Sequence, residues 1–160
     1  MALIAASRFF TAVSETAKLL GVSVAPPGVR NLISIFGGDI SAVSKMVGIS
    51  PSRIEKYLTG KIKPSVPVLS RFQQQYEVTS YNMLRSFGAS WRDAMSFSSK
   101  SPKAILERIR YLDDMSKALS KYYNVDIAGI RKGMSNSENA SDNWDESNDV
   151  LKAYKAGLIK

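Results

Sequence analysis

The sequence predicts an all-α protein of several helices that includes a helix-turn-helix, followed by a long C-terminal helix and a flexible acidic tail. Apolar residues recur at helical spacing, while Pro and Gly divide the chain into short segments. Alternating β-branched runs long enough to build a sheet are scarce. The 160 residues, 44% of them hydrophobic, suffice for one compact domain with extensions but not for two large cores.

Four helices are expected in the first part of the chain. Their predicted spans are Arg8–Leu20, Val29–Phe36, Ile40–Val47 and Pro51–Thr59. Asp39 and Ser50 are residue types that cap the first amides of a helix. Gly48 and Gly60 supply the left-handed backbone that ends one. Pro51 stands at the first position of its helix, where the missing N–H costs nothing.

Later segments predict three further helices and a linker. The expected spans are Ser65 to about Tyr76, Thr79 or Ser80 to Phe87, and a longest helix over Lys103–Tyr123 that begins after the cap Ser101-Pro102. An apolar stripe on the longest helix indicates either a packed core face or a coiled-coil seam; it comprises Ile105, Ile109, Leu112, Leu119 and Tyr123. The stretch Ser135–Ser147, rich in Ser, Asn and acid, predicts a flexible linker. A short helix over about Asp149–Leu158 follows it.

The composition argues against most enzymes. Without Cys or His, the chain lacks disulfides, thiolate nucleophiles, the commonest general base and the usual zinc ligands. No serine has a visible activating base beside it, so a serine recombinase is disfavoured. We therefore expect no enzymatic activity, cofactor, metal or small-molecule ligand.

Hydrophobic runs are too short for the roughly 20 residues of a membrane helix. The apolar start Met1–Ala6 lacks a basic leader and soon meets Arg8. An intracellular protein, cytoplasmic or associated with a nucleoid or virion, is therefore expected.

The net charge of +8 is unevenly distributed. Between Ser135 and Asp149 there are five acidic residues and no basic ones, so the excess of positive charge lies in the rest of the chain. A basic body indicates a polyanionic partner, with nucleic acid favoured over an anionic membrane surface. A solvated surface that binds no partner is the remaining alternative.

The most informative segment is residues 40–65, ISAVSKMVGISPSRIEKYLTGKIKPS. It predicts two short helices joined by a turn at Gly48, with the small residue Ser44 four positions earlier. Apolar residues stand where the two helices must pack: Val43, Val47, Ile49, Ile54 and Tyr57. This arrangement is typical of a helix-turn-helix. The alternative is that the glycines are ordinary helix stops and the cations a solvated face.

The run from Gly48 to Ser65 resembles the helix-turn-helix of the Cro/C1 (XRE-type) repressors, whose recognition helix is followed by a Gly-Lys-x-x-Pro loop. Here that loop is Gly60-Lys-Ile-Lys-Pro64, and the resemblance covers about residues 29–72. It implies a five-helix domain whose third helix enters the major groove. It also implies a dimeric transcriptional repressor on a palindromic operator.

The resemblance also implies which residues bind double-stranded DNA. They are Lys45, Ser50, Ser52, Arg53, Lys56, Lys61 and Lys63, with Pro51 also facing outward. Arg53 is expected to read guanine bidentately, and Lys56 to contact a base or a phosphate. The three remaining lysines are expected to hold phosphates. The chain has Ile40 and Pro51 where the family often has Gln, and Leu58 where it often has Glu, so adenine readout by those glutamines is absent.

Four segments follow from this interpretation: an N-terminal helical extension (1–28), a DNA-binding domain (29–98), a long helix that could serve dimerisation (99–134), and an acidic linker with a terminal helix (135–160). We expect a sequence-preferring, repressor-like regulator that forms a homodimer or higher oligomer. The alternative is a structural nucleoprotein that packages viral or plasmid DNA by coating it. Asp113-Asp114 is expected to form surface ion pairs, and Tyr122-Tyr123 to be buried rather than to stack on bases.

Overall fold

A computed structural model describes residues 3–137 and 140–159, with side chains for 8–137 and 145–159. Over these residues all regular structure is helical, which confirms the all-α prediction. The helices are α1 (Leu3–Leu20), α2 (Pro27–Ile35), α3 (Ile40–Val47), α4 (Pro51–Thr59), α5 (Val66–Ser86), α6 (Trp91–Phe97), α7 (Pro102–Tyr123), α8 (Ile127–Asn136) and α9 (Ala140–Lys155). None of these helices combines the length and apolarity needed to cross a membrane.

The chain divides into two compact units. The N-terminal unit comprises Met1–Thr79 with Ser99–Ala104, and the C-terminal unit comprises Ser80–Ser98 with Ile105–Lys160. The divisions fall within α5 after Thr79, between α6 and α7 after Ser98, and within α7 after Ala104.

In the N-terminal unit, α1 packs on α2, α2 on α3, and α3 on α4. The buried side chains of this unit include Val13, Val29, Leu32, Ile33, Val43, Ile54, Tyr57 and Phe72. The rings of Tyr57 and Phe72 meet edge to face, with their centroids 6.5 Å apart. Because both aromatic side chains are fully buried, α4 and α5 are fixed against each other.

In the C-terminal unit, the apolar stripe of α7 is a core face. Ile105, Ile109, Leu112 and Leu119 are buried within the chain, so the stripe is not a free coiled-coil seam. Tyr123, at the end of the stripe, is 51% exposed, and its neighbour Tyr122 is 55% exposed. The expectation that these two tyrosines are buried is therefore wrong.

The predicted linker is wrong for residues 135–136, which end α8, and for residues 140–147, which are helical in α9. Val150 and Leu151 of this helix pack into a core cluster with Met115, Ala118 and Leu119. The hydroxyl of Tyr111 donates a hydrogen bond to Asn148 Oδ1 at 2.7 Å. Partial burial of the Tyr111 side chain raises the pKa of this hydroxyl above the ordinary tyrosine value. Glu138 and Asn139 lie outside the described residues.

Two further expectations about the helices need correction. The predicted break near Thr79 is absent, because α5 continues from Val66 to Ser86. The short helices α6 and α8 were not predicted. Ser90 and Asp126 cap them by accepting hydrogen bonds from the amides of Asp93 and Gly129, respectively.

The predicted surface ion pairs are correct only for Asp114, which lies 3.7 Å from Lys155. Asp113 is instead buried, with its side chain 6% exposed. Its carboxylate oxygens lie 2.6 Å from Arg131 Nη2 and 2.8 Å from Lys117 Nζ. This carboxylate therefore joins α7 to α8, which is a structural role.

We predict that Asp113→Ala destabilises the protein by about 1–3 kcal/mol, because it leaves two cations without their shared, buried partner. The adjacent Asp114→Ala is the matched control. It removes an exposed carboxylate with one long contact and should change stability by less than about 0.5 kcal/mol. Urea unfolding followed by circular dichroism measures both, and equal losses would contradict the assigned role.

Candidate nucleic-acid interface

Helix α3 has the predicted bounds, which are set by the capping residue at each end. Asp39 Oδ1 accepts a hydrogen bond from the amide of Ala42 at 3.0 Å. At the other end Gly48 has a φ of 69°, a left-handed conformation that costs a side-chain-bearing residue about 1 kcal/mol or more. The hydroxyl of Ser44 donates to the carbonyl of Ile49 at 2.6 Å and so closes the turn.

Helix α4 also has the predicted bounds. Ser50 Oγ accepts a hydrogen bond from the amide of Arg53 at 3.3 Å, and Pro51 occupies the first helical position. Gly60 ends the helix with a φ of 80°. These local signals are short-range, which is why the sequence predicted them correctly.

The inner face of α4 is anchored to the rest of the N-terminal unit. The side chains of Ile54 and Tyr57 are 0% and 1% exposed. The hydroxyl of Ser23 donates to the carbonyl of Leu58 at 2.9 Å, which satisfies an acceptor at the end of the helix. The outer face of α4 is consequently the one that faces solvent.

All seven residues predicted to bind DNA are exposed: Lys45, Ser50, Ser52, Arg53, Lys56, Lys61 and Lys63. Five of the seven are lysines or the arginine. Among the side chains that the structure describes, at residues 8–137 and 145–159, none of these five cations forms an ion pair. Glu55 is the one acidic residue from Lys45 to Phe72, and it is exposed too. The helix α4, the turn before it and the loop after it thus present uncompensated positive charge.

Arg53 has a contact that the sequence analysis missed. Its Nε donates to the hydroxyl of Tyr57 at 3.0 Å, and its guanidinium carbon lies 5.9 Å from the centre of that ring. The two residues are four apart on one helix, a spacing that brings side chains together. The contact steadies one edge of the guanidinium, so Nη1 and Nη2 are the atoms left to bind an external group.

Arg71, which adds to the charge of the segment, has a structural partner. Its Nη1 donates to the carbonyl of Val47 at 3.0 Å. A cation at the C-terminal end of a helix is favoured there by the helix dipole. Arg71 therefore links α5 to the end of α3 and is distinct from the exposed cations with no such bond.

Comparison with protein-family models, curated proteins and solved structures gave no match to this chain. The resemblance to the Cro/C1 repressors accordingly rests on the residues from Gly48 to Ser65.

We predict that Ser50→Ala destabilises the protein by about 1 kcal/mol, because it removes the side-chain acceptor that caps α4. Ser52→Ala is the matched control, since Ser52 is an exposed serine of the same helix and alanine has the higher helix propensity. Urea denaturation should show a lower midpoint for the first variant and an unchanged or higher one for the second. A stable Ser50 variant would mean that the cap contributes nothing.

Proposed function

We propose that this protein is a non-enzymatic, sequence-preferring double-stranded DNA-binding protein, a small repressor-like regulator whose α3, Gly48 turn and α4 act as a helix-turn-helix. One observation carries the proposal. Helix α4 is anchored by Ile54 and Tyr57 and leaves an outer face with Arg53 and Lys56 exposed. That face is the part of the helix that would enter the major groove.

The dimensions of α4 suit this role. An α-helix with its side chains is about 10–12 Å across, and the major groove is about 12 Å wide. Because the inner face is held by buried side chains, the helix does not need to unfold or rotate to present Arg53. Preorganisation of this kind lowers the entropy lost on binding.

Arg53 is assigned to base readout. Its Nη1 and Nη2 would donate to O6 and N7 of a guanine while Nε keeps its bond to Tyr57. A bidentate contact of this type is worth about 1–3 kcal/mol of discrimination against the wrong base. Lys56, one turn further along α4, would contact a base or a phosphate.

The remaining residues are assigned to the DNA backbone. Lys45 precedes the turn, and Lys61 and Lys63 follow Gly60, so phosphates on either side of the groove would meet positive charge. The hydroxyls of Ser50 and Ser52 would donate to phosphate oxygens. Ser50 can do so while its oxygen still caps α4. These contacts set the register without reading sequence.

We expect Arg53→Ala and Lys61→Ala to weaken binding in different ways. Loss of Arg53 should abolish preference for particular sequences, whereas loss of Lys61 should weaken binding to every duplex and reduce the slope of log K against log salt by about one. Fluorescence anisotropy on duplexes selected from a random library, at several salt concentrations, measures both effects. Lys18→Ala removes an exposed charge from α1 and is the matched control. Equal effects of the first two substitutions on preference and on salt slope would contradict the assigned roles.

Coating of DNA by a structural nucleoprotein is the second candidate function. It is favoured by the net charge of +8 and by the small number of base-reading groups on α4, where Pro51 supplies no donor. Sedimentation with long DNA separates the two candidates. Saturating coverage without sequence preference supports coating, and a discrete homodimer on one site supports regulation.

A further inference from the structure

The C-terminal unit contains a cavity of about 520 Å³. This volume lies within the range of about 300–1,000 Å³ that is usual for small-molecule sites. Residues of α6, α7, α8 and α9 line it, together with the turn before α6 and Ser137. None of its lining residues belongs to the DNA-binding surface proposed for the N-terminal unit.

Most of the cavity wall is apolar. Leu112, Met115 and Leu119 of α7 form a part that is buried from solvent, and Ile130 and Met134 of α8 contribute half-buried side chains. Moving hydrocarbon from water onto such a wall is favourable, and the wall offers no hydrogen-bond partner to a polar group. The main body of a ligand here would therefore be apolar.

A single net positive charge stands at the polar part of the cavity. Arg108 and Asp93 both line it, but two hydrogen bonds of 2.9 Å join them, so their charges compensate each other. Arg92 also lines the cavity and is exposed. Its guanidinium lies 5.2 Å from the centre of the Trp91 ring, and within the described ranges it forms no ion pair. Arg92 is thus available to an anion.

The glycine at position 133 keeps part of this space open. Gly133 lies inside α8, where glycine costs about 1 kcal/mol relative to alanine. A Cβ built at this position would have no heavy atom within 4 Å, so close packing within the chain does not require glycine. Gly129 differs, because its Cβ would lie 2.8 Å from Asp126 Oδ1, the atom that caps α8. Gly133 is exposed at the edge of the cavity, so a larger side chain at this position has room to occupy that space.

We propose that this cavity binds an amphipathic monocarboxylate with an apolar body, of the size of a medium-chain fatty acid. The hydrocarbon would pack against the half-buried side chains of Ile130 and Met134, beside the wall formed by α7, and the carboxylate would pair with the guanidinium of Arg92. A guanidinium holds a carboxylate through two parallel hydrogen bonds, which favours an acid over an alcohol of the same length.

The first test is isothermal titration of the full chain with decanoate below its micellar concentration, with decanol as the neutral analogue. Saturable binding of one decanoate per chain is expected, with decanol binding about tenfold more weakly because it lacks the charge-assisted bonds. Absence of saturable decanoate binding would overturn the proposal, as would equal affinity for the two compounds.

Two substitutions locate the site. Gly133→Trp places a large side chain at the cavity and should abolish binding, while the matched Ala128→Trp, at an exposed position of α8 outside the cavity, should not. Arg92→Gln should weaken decanoate binding about tenfold and leave decanol unchanged. Its control is Lys132→Gln, an exposed cation of α8 that does not line the cavity.

Circular dichroism and urea unfolding check that each variant is folded and as stable as the wild type. Tryptophan has a higher helix propensity than glycine, and position 133 has open space, so Gly133→Trp should fold as stably as the wild type. A folded Gly133 variant that binds decanoate as tightly as the Ala128 variant would overturn the assigned site. So would an Arg92 variant that loses decanoate and decanol affinity equally.

Discussion

The burial of Ile54 and Tyr57 beneath α4 is the interaction on which the proposed DNA-binding surface depends. A nine-residue helix is only marginally stable in water by itself, because forming its first turn is unfavourable. Burying one aliphatic and one aromatic side chain contributes several times the free energy that capping adds. The same burial fixes which face of α4 is left to solvent. Tyr57 has a second role, since its ring packs on Phe72 while its hydroxyl holds the guanidinium of Arg53.

How much of the fold could be predicted depended on how local the determinants were. The bounds of α3 and α4 follow from Asp39, Gly48, Ser50 and Gly60, which act on amides and carbonyls within a few residues of themselves. The apparent cap at Ser80 was misleading. Its side chain is fully buried inside α5, on the helical face that also carries Phe72, Tyr76 and Leu84. An apolar face more than three turns long, from Phe72 to Leu84, outweighs the weak preference of one serine for a helix end.

For residues 140–147 the error was the reverse, because a linker was predicted where the structure has the first half of α9. Their composition is polar, and the intrinsic propensities of Ser, Asn and Asp disfavour a helix interior. Val150 and Leu151 nevertheless reach a core formed by α7, which lies some thirty residues earlier in the chain. Helices in proteins are stabilised mainly by tertiary packing of an apolar face, and a local window of sequence does not contain that partner. The cavity of the C-terminal unit was unpredictable for the same reason, because its wall comes from four separate helices.

The positive charge of the chain is used in two ways. In the C-terminal unit Arg108, Lys117 and Arg131 bind carboxylates that lie within hydrogen-bonding distance, so these cations stabilise the fold. From Lys45 to Lys63 the exposed cations have no acidic partner among the residues that the structure describes, and they repel one another. Repulsion of this kind costs free energy in the isolated protein. A bound polyanion relieves it, because the protein cations take the place of the counterions condensed on the polyanion. Arg71 marks the boundary between the two uses, since it belongs to the basic segment by sequence but bonds to the carbonyl of Val47. Charge counted along the sequence therefore overestimates the cations available to an external anion, because it includes Arg71, whose guanidinium donates to a carbonyl of the chain itself.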